Sequence, residues 1–191
     1  DSVMRKLGAA VALALLAGVS FGATCTFNGA WDALPAEDDD IIVTSGDMIW
    51  SNSFPRTVAS WTQNEGYAGT VTFDTGLEPF EVTGNVTLNG GTWTHTANPS
   101  FTSSQEGWTS GRGSKQLIVK VGGDLLVAES AKIDVTGMGF RITQGPGNWN
   151  VTGNSAAASH GGSGCGIDSK LIAPPCYGSA HEPDTIGSGG R

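Results

Sequence analysis

Basic residues are scarce in this sequence, since Lys and Arg total 10 against 18 Asp and Glu, and the formal net charge is −8. Nucleic acids and anionic membranes carry negative charge, so this balance excludes both as predicted partners. Sustained helical periodicity is also absent after residue 23, which excludes a mainly helical fold. What remains is a chain of short β-branched and aromatic runs, punctuated by 29 glycines.

Long hydrophobic runs are equally few, and the one that resembles a targeting segment lies near the start of the chain. Two basic residues precede the apolar run Leu7–Val19, and small residues follow it up to Gly22. This order is typical of a secretory signal peptide, and the run is too short for a membrane span. We therefore predict a signal peptide over residues 1–22, in which 1–3 lie upstream of the start methionine. The predicted location is secreted or cell-surface, with no transmembrane span in the mature chain.

Cysteine is rare as well, and three cysteines leave one thiol unpaired in an exported chain. Cys165 and Cys176 lie in the same glycine-rich region, and an oxidising compartment permits a disulfide between them. The alternative is a tetrahedral zinc site with two imidazoles and two thiolates, formed by His160, Cys165, Cys176 and His181. Zinc is the weaker hypothesis, because the spacing lacks a close cysteine pair and export favours oxidation. The sequence therefore predicts no cofactor.

Short runs of β-branched and aromatic residues, bounded by Gly, Asn, Asp or Pro, recur between residues 41 and 143 in two stretches that are separated by a polar break from Thr96 to Ser114. This pattern is typical of strands and predicts an all-β fold. Residues 23–40 contain the acidic run Glu37–Asp40, and we interpret them as an irregular lead-in or N-terminal cap with a solvated acidic entry to the first strand. Glycine dominates residues 144–191, which we predict to form a loop or extension resting on the strands.

Three valine-led segments recur 39 positions apart, beginning at Val43, Val82 and Val121, and each ends in a Gly-Asx pair. A fixed period of this length indicates stacked strand units, and 39 residues correspond to about two coils of a typical solenoid. Gly and Asx also tolerate the left-handed backbone that coil corners require. The sequence therefore predicts a parallel β-helix over residues 41–143, with an antiparallel β-sandwich as the alternative.

Two regions resemble a known class of proteins. The run Asp40–Phe73, which contains Ile-Ile-Val-Thr-Ser-Gly-Asp and Thr-Val-Ala-Ser-Trp-Thr-Gln, resembles the opening of large secreted bacterial β-helix surface proteins, similar to autotransporter passengers and adhesin-like proteins. The Ser-His-Gly-Gly-Ser-Gly run Ser159–Gly164, with Gly187–Gly190, resembles a glycine-rich insert found in some of them. The resemblance implies a right-handed parallel β-helix that is extracellular or displayed at the cell surface.

Catalytic signatures do not accompany these patterns. A glycosidase needs two carboxylates across the scissile bond, and a lyase needs a base together with charge neutralisation. Strand alternation places Lys132 and Asp134 on one face, but outward charges also keep such a surface hydrated. The full mixed-charge set of the strand-rich region is Asp124, Glu129, Lys132, Asp134 and Arg141. We therefore assign no catalytic residues.

Tryptophan offers a binding alternative, because its flat amphipathic ring packs against sugar rings. Trp50, Trp61 and Trp93 fall within predicted strands and are expected to fill the interior. Trp108 and Trp149 lie in polar loops and are therefore the candidate carbohydrate-binding residues.

The predicted function is that of a non-enzymatic secreted or cell-surface protein, structural or adhesin-like, of which this chain is an N-terminal fragment. Its expected partners are extracellular polysaccharides or cell-surface components. The alternative is a polysaccharide lyase or glycoside hydrolase of β-helix fold whose catalytic residues lie beyond Arg191.

Overall fold

The computed structural model describes residues 22–148, 158–160, 176–179, 181 and 184–189. The predicted signal peptide, residues 1–22, lies outside this part except for its last residue. The elements are β1 (Thr24–Asn28), β2 (Asp40–Ser45), β3 (Met48–Ser51), β4 (Thr57–Val58), β5 (Ser60–Gln63), β6 (Thr70–Asp74), β7 (Phe80–Val82), β8 (Val86–Leu88), β9 (Gly91–His95), α1 (Glu106–Thr109), β10 (Val119–Val121), β11 (Leu125–Val127) and β12 (Ala131–Ile133). This strand-rich chain agrees with the all-β prediction. No helix within the described ranges is long and apolar enough to cross a bilayer.

Three sheets make up the fold, and every strand ladder among the described residues is parallel. The first sheet has the order β1-β2-β5-β8-β11, the second β3-β6-β9-β12, and the third β4-β7-β10. From β2 to β12 the chain visits the first, second and third sheets in turn and then begins again, and we name one such passage a circuit. The antiparallel sandwich is therefore wrong, because neighbouring strands belong to successive circuits and run in one direction.

Uninterrupted circuits take 20 to 25 residues, since 20 positions separate the register partners Ile41 and Trp61 and 25 separate Trp61 and Val86. The last circuit is longer, because register partners in β7 and β10 are 39 positions apart. The extra length lies in residues 96–118, which connect β9 in the second sheet to β10 in the third sheet. We name this segment the excursion. Between Val82 and Val121 the 39-residue spacing is thus one circuit with an insertion, and the expectation of two coils is wrong there.

Only two of the three valine-led segments lie in the same row. Val82 and Val121 are register partners in the third sheet. Val43 lies in the first sheet, where its register partners are Phe27 and Gln63. The second register partner of Val82, on the side away from Val121, is Val58. The equal spacing of the first two valines therefore does not reflect their register.

The corner before β11 brings two circuits into close approach. A Cβ atom on Gly122 would lie 2.2 Å from the carbonyl oxygen of Thr83, a separation that no side chain tolerates. The backbone N–H of Asp124 donates to Oδ1 of Asn85 at 2.9 Å, so the two Gly-Asx turns are also joined by a hydrogen bond. Of the three Gly-Asx pairs only the one at Gly46 contains a positive φ, so the left-handed backbone expected at the coil corners is wrong at the other two. Glycine at the corner before β11 is explained by the close approach of neighbouring circuits.

Aromatic side chains fill the interior between the sheets. Trp50, Trp61 and Trp93 have exposed fractions of 0%, 0% and 1%, which confirms the expectation that they face inward. The ring centroid of Trp61 lies 5.2 Å from that of Trp50 and 5.5 Å from that of Trp93, both in edge-to-face geometry. Such pairs contribute about 0.5–1.5 kcal/mol each beyond area burial, so ring contacts between circuits help to fix the register.

The N-terminal end of the interior is closed by the segment predicted to be an irregular lead-in. That segment contains β1, in which Cys25 and Phe27 are buried, because alternation with threonine continues upstream of residue 41. Trp31 then folds over the end, with its ring centroid 5.9 Å from that of Trp50 and 5.7 Å from that of Phe54. Residues 23–40 are therefore ordered as a strand followed by an aromatic cap.

The acidic run of this cap is solvated only in part. Asp39 is 5% exposed, and its carboxylate accepts the backbone N–H groups of Ala23 at 2.7 Å and Ala36 at 2.8 Å and the Cys25 thiol at 3.3 Å. The bond from Ala36 is the main cause that holds the pKa of Asp39 below its usual value, because these donors favour the ionised form. The expectation of a fully solvated run is therefore wrong at this residue.

The opposite end of the interior is open within the described part. Val86 and Leu88 are 0% and 1% exposed, whereas their register partners Leu125 and Val127 are 50% and 40% exposed. The strands β10, β11 and β12 each pair along one edge only. Inward-facing positions of the last circuit therefore lack the covering layer that buries their counterparts.

Beyond β12 the predicted strand at residues 140–143 is absent, and Ile142 makes a single bridge with Gly189. Local alternation suggested a strand there, but these residues do not pair with the open edge of β10, β11 or β12. The described parts of the glycine-rich segment pack against the excursion, where the Ile186 N–H donates to the Gly111 carbonyl at 2.9 Å. These parts therefore lie directly beside the excursion.

Candidate functional site

The excursion is anchored to the sheets by one buried amide. Asn98 is 1% exposed, and its Oδ1 accepts the backbone N–H groups of Ser114 and Lys115 at 2.8 and 3.0 Å. Its Nδ2 donates to the carbonyl oxygens of Lys115 and Met138, each at 2.8 Å. Both ends of the amide are satisfied, so Asn98 ties the returning arm of the excursion to the chain after β12.

A second anchor is electrostatic. The ammonium of Lys115 pairs with the carboxylate of Asp74 at the end of β6, and both side chains are about one-third exposed. The hydrogen bond from Lys115 is the main cause that lowers the pKa of Asp74. The excursion is thereby held beside the second sheet on a neighbouring circuit.

Between the excursion and residues 184–186 lies a cavity of about 340 Å³, which we name the flank cavity. Its volume falls in the range of small-molecule sites, and its lining combines aliphatic side chains with a few polar groups. The lining residues are His95, Arg112, Gln116, Leu117, Ile118, Val135, Asp184, Thr185 and Ile186. Its lining contains a cationic side chain, an anionic side chain and an imidazole, those of Arg112, Asp184 and His95.

His95 ends β9 and is buried at the wall of the flank cavity. Its Nδ1 lies 2.9 Å from the carbonyl oxygen of Thr96, so Nδ1 is the atom that carries the proton. Burial lowers the pKa of His95, which keeps the ring neutral at physiological pH. In this tautomer Nε2 is a hydrogen-bond acceptor.

Arg112 has no ion-pair partner among the described residues, unlike Arg56, Lys115 and Lys132. Its Nε is buried without an acceptor. An arginine side chain offers five N–H donors, and an unsatisfied buried donor costs roughly 1–3 kcal/mol. The guanidinium therefore has unused donor capacity at the cavity.

Gln116 links the two walls of the flank cavity. Its Nε2 donates to the carbonyl oxygen of Arg112 and to that of Asp184, each at 3.0 Å. These two bonds use both amide hydrogens, which leaves Oε1 as an acceptor. The Asp184 side chain is exposed at the rim.

The predicted carbohydrate-binding tryptophans are not at this cavity. Trp108 lies in α1, half-buried, with its ring centroid 6.3 Å from that of Phe140. It therefore packs against the fold and does not stand free in a polar loop. Trp149 lies outside the described residues.

The predicted disulfide and zinc site cannot be assembled from the described chain, because Cys165 lies outside it. His160 is placed against Tyr177, with ring centroids 4.9 Å apart, and its Nε2 lies 3.0 Å from Oγ1 of Thr185. Cys176 and His181 are exposed. No group of three His, Cys, Asp or Glu side chains within the described ranges is arranged to hold a metal ion.

The mixed-charge set contains one close pair, as strand alternation predicted. Lys132 Nζ lies 3.1 Å from Asp134 Oδ2 on the surface. The pKa of Asp134 is lowered to about 2, chiefly by hydrogen bonds from Thr136 and further by the hydrogen bond from Lys132. Tyr67, beside a depression that includes Lys132, has its pKa raised to about 12 by burial. Neither value is near the neutral range in which a general acid or base works best.

Sequence reasoning missed His95 and Arg112 as members of one site. The available signals were an imidazole at the end of an alternating strand and an arginine in a chain poor in cations. Their proximity depends on the path of the excursion. Comparison with models of known protein families, with curated proteins and with solved structures finds no match to this chain.

Proposed function

We propose that the three parallel sheets form a right-handed parallel β-helix and that the protein is a non-enzymatic secreted or cell-surface scaffold with a structural or adhesive role. The observation that carries this proposal is the fixed order of the sheets around an aromatic interior. Parallel strands of one sheet joined by a crossover are almost always connected with right-handed sense, which supports the proposed hand.

The surface chemistry supports display over catalysis. The outward positions of the strands are mostly threonine, serine and charged residues, whereas the interior is closed by aromatic rings. Lys132 and Asp134 pair with each other on the exposed surface, as charges that keep such a face hydrated do. A stack of this kind exposes long, regular faces to extracellular partners.

The non-enzymatic role is tested by incubating the purified protein with neutral and acidic polysaccharides. We expect no new reducing ends and no unsaturated uronate products beyond those of a heat-denatured sample, while a polysaccharide lyase run in parallel gives both. Sustained product release that scales with protein concentration would overturn the scaffold role in favour of the lyase or hydrolase alternative.

Export is tested with a fusion of residues 1–22 to an alkaline phosphatase that lacks its own leader. We expect phosphatase activity outside the cytoplasm, because basic, apolar and small segments follow in the order that secretion requires. The matched control carries Leu15→Arg, which interrupts the apolar run. Equal external activity from both fusions would contradict the signal-peptide assignment.

A further inference from the structure

We propose that the flank cavity binds a neutral saccharide unit through Arg112, His95 and Asp184. The proposal rests on the adhesive role inferred above and assigns that role a site and a ligand class.

The unused polar groups include both donors and acceptors. The guanidinium of Arg112 donates no hydrogen bond and forms no ion pair within the described residues, so its Nη groups are the donors offered to a ligand, while its Nε is buried out of reach. On the acceptor side are Nε2 of neutral His95, Oε1 of Gln116 and the Asp184 carboxylate. A hydroxyl group both donates and accepts, so a ligand with several hydroxyls satisfies both sets.

Charge decides between neutral and ionised ligands. Arg112 and Asp184 carry opposite formal charges, and burial keeps His95 neutral, so the ionisable groups of the lining balance. An anionic sugar would be attracted by Arg112 but repelled by the carboxylate of Asp184. A cationic ligand would be attracted by Asp184 but repelled by Arg112. The balance therefore favours a ligand without net charge.

The apolar lining suits the ring of a sugar. Leu117, Ile118, Val135 and Ile186 supply aliphatic surface, against which the C–H groups of a pyranose ring can pack. A cavity of about 340 Å³, mostly apolar with a small number of polar groups, has the general composition of a small-molecule site. Residues 184–186 and the excursion form its two sides, held together by the hydrogen bonds of Gln116.

The test is a binding titration of the purified protein with neutral trisaccharides built from glucose, galactose, mannose or N-acetylglucosamine. Binding is measured by calorimetry and by saturation-transfer NMR. We expect at least one neutral trisaccharide to bind, and trigalacturonate to bind at least several-fold more weakly. Arg112→Met should weaken binding roughly tenfold or more, because a charge-assisted donor is removed from a partly buried site. Asp184→Asn should weaken it by a smaller factor while leaving the shape of the rim unchanged.

Two matched variants separate the cavity from the surrounding surface. Arg56→Met removes an exposed cation that does not line the cavity, and Glu106→Gln changes the neighbouring depression that also borders Arg112. Both should bind like the parent protein, and the thermal unfolding of all four variants should show that they remain folded. Selective labelling of histidine should show a change in the ¹⁵N shift of His95 on binding.

The outcomes are distinct for the two proposals. Absence of neutral-saccharide binding, preferential binding of trigalacturonate, or equal affinity of the parent and Arg112→Met would overturn the cavity assignment while leaving the non-enzymatic scaffold in place. Cleavage of any of these sugars would overturn the scaffold function itself.

Discussion

At the residue scale, Asp39 shows that a carboxylate in an acidic surface run can have a structural role. It joins the start of β1 to the loop before β2 through two backbone donors, and it accepts a hydrogen bond from Cys25. Burial and the neighbouring Asp39 raise the pKa of the Cys25 thiol to about 11. The two side chains therefore form a buried structural pair, in which the thiol stays protonated at neutral pH.

We expect Asp39→Ala to lower the free energy of unfolding by about 1–2 kcal/mol at pH 7, because it leaves the N–H groups of Ala23 and Ala36 without their acceptor. The pKa of Asp39 is lower in the folded state than its usual value of 3.8, so this stabilisation is present above that value and is lost as the pH falls through the folded-state pKa. Urea unfolding at pH 7 and at about pH 3 measures the difference.

The control for this prediction is Glu37→Ala, which removes an exposed carboxylate from the same acidic run. It should change stability by less than about 0.5 kcal/mol at either pH. A destabilisation by Asp39→Ala that is equally large at both pH values would show that the side chain acts by packing and not by accepting hydrogen bonds as an anion.

At the scale of elements, the excursion is the feature that distinguishes the last circuit from the earlier ones. Residues 96–118 lengthen that circuit without disturbing the register, since β10 still pairs with β7 and β11 with β8. Loop-closure entropy rises only slowly with length, so a long insertion at one corner costs little if its own contacts hold it. Asn98 and Lys115 supply those contacts.

Asn98→Ala should loosen the excursion and leave the sheets intact. The amide hydrogens of Ser114 and Lys115 lose their acceptor, so their exchange should accelerate by roughly tenfold or more, in line with a cost of about 1–3 kcal/mol for each unsatisfied group. Exchange of the Trp61 and Val86 amides in the first sheet should not change. Hydrogen exchange followed by NMR measures both sets in one experiment.

Asn52→Ala, at an exposed turn position, is the matched control and should leave the exchange of Ser114 and Lys115 unaltered. If Asn98→Ala accelerated exchange throughout the first sheet as well, the excursion would be an integral part of the stack and not an insertion anchored to it.

At the scale of the whole molecule, the two ends of the stack differ. Trp31 and Phe54 close the N-terminal end with aromatic rings. At the other end of the described stack, β11 exposes Leu125, Leu126 and Val127 along an unpaired edge. Unpaired, apolar strand edges promote pairing between molecules.

We therefore expect the purified protein to self-associate with rising concentration, and Leu126→Lys to reduce this association. A charge on an edge strand disfavours edge-to-edge pairing, and Leu126 is already 54% exposed, so its replacement should cost little stability. Sedimentation velocity over a concentration series measures the effect.

Thr87→Lys introduces the same charge at the register partner on β8, which is paired along both edges, and should leave association unchanged. Equal association of the parent and Leu126→Lys would show that this edge does not mediate it.

Much of the strand pattern could be predicted from the sequence, because inward and outward positions alternate within a few residues. Trp50, Trp61 and Trp93 were expected inside for this reason, and they are buried. The same local rule failed at residues 140–143, where alternation continues but the described backbone forms only the bridge between Ile142 and Gly189 and does not pair with the open edge of β10. Strand formation depends on a partner, and the partner is chosen by distant residues.

The candidate site was less accessible to prediction than the strands. His95 is separated by 17 positions from Arg112 and by 89 from Asp184, yet all three line one cavity. Trp108 was selected for its aromatic ring and its polar neighbours, but the ring packs against Phe140. Side chains that meet through an insertion leave no periodic signal.

The sequence by itself determined the class of the fold, because β-branched alternation, glycine corners and missing helical periodicity are properties of neighbouring residues. Only the tertiary structure decided that 39 residues make one circuit with an excursion, that Val58 and not Val43 pairs with Val82, and that Asp39 is buried. The physical reason is that register and burial are set by residues distant in the sequence. Register partners in neighbouring circuits are 20 or more positions apart, and the carboxylate of Asp39 is bonded to Ala23 and Cys25, which lie 16 and 14 positions away.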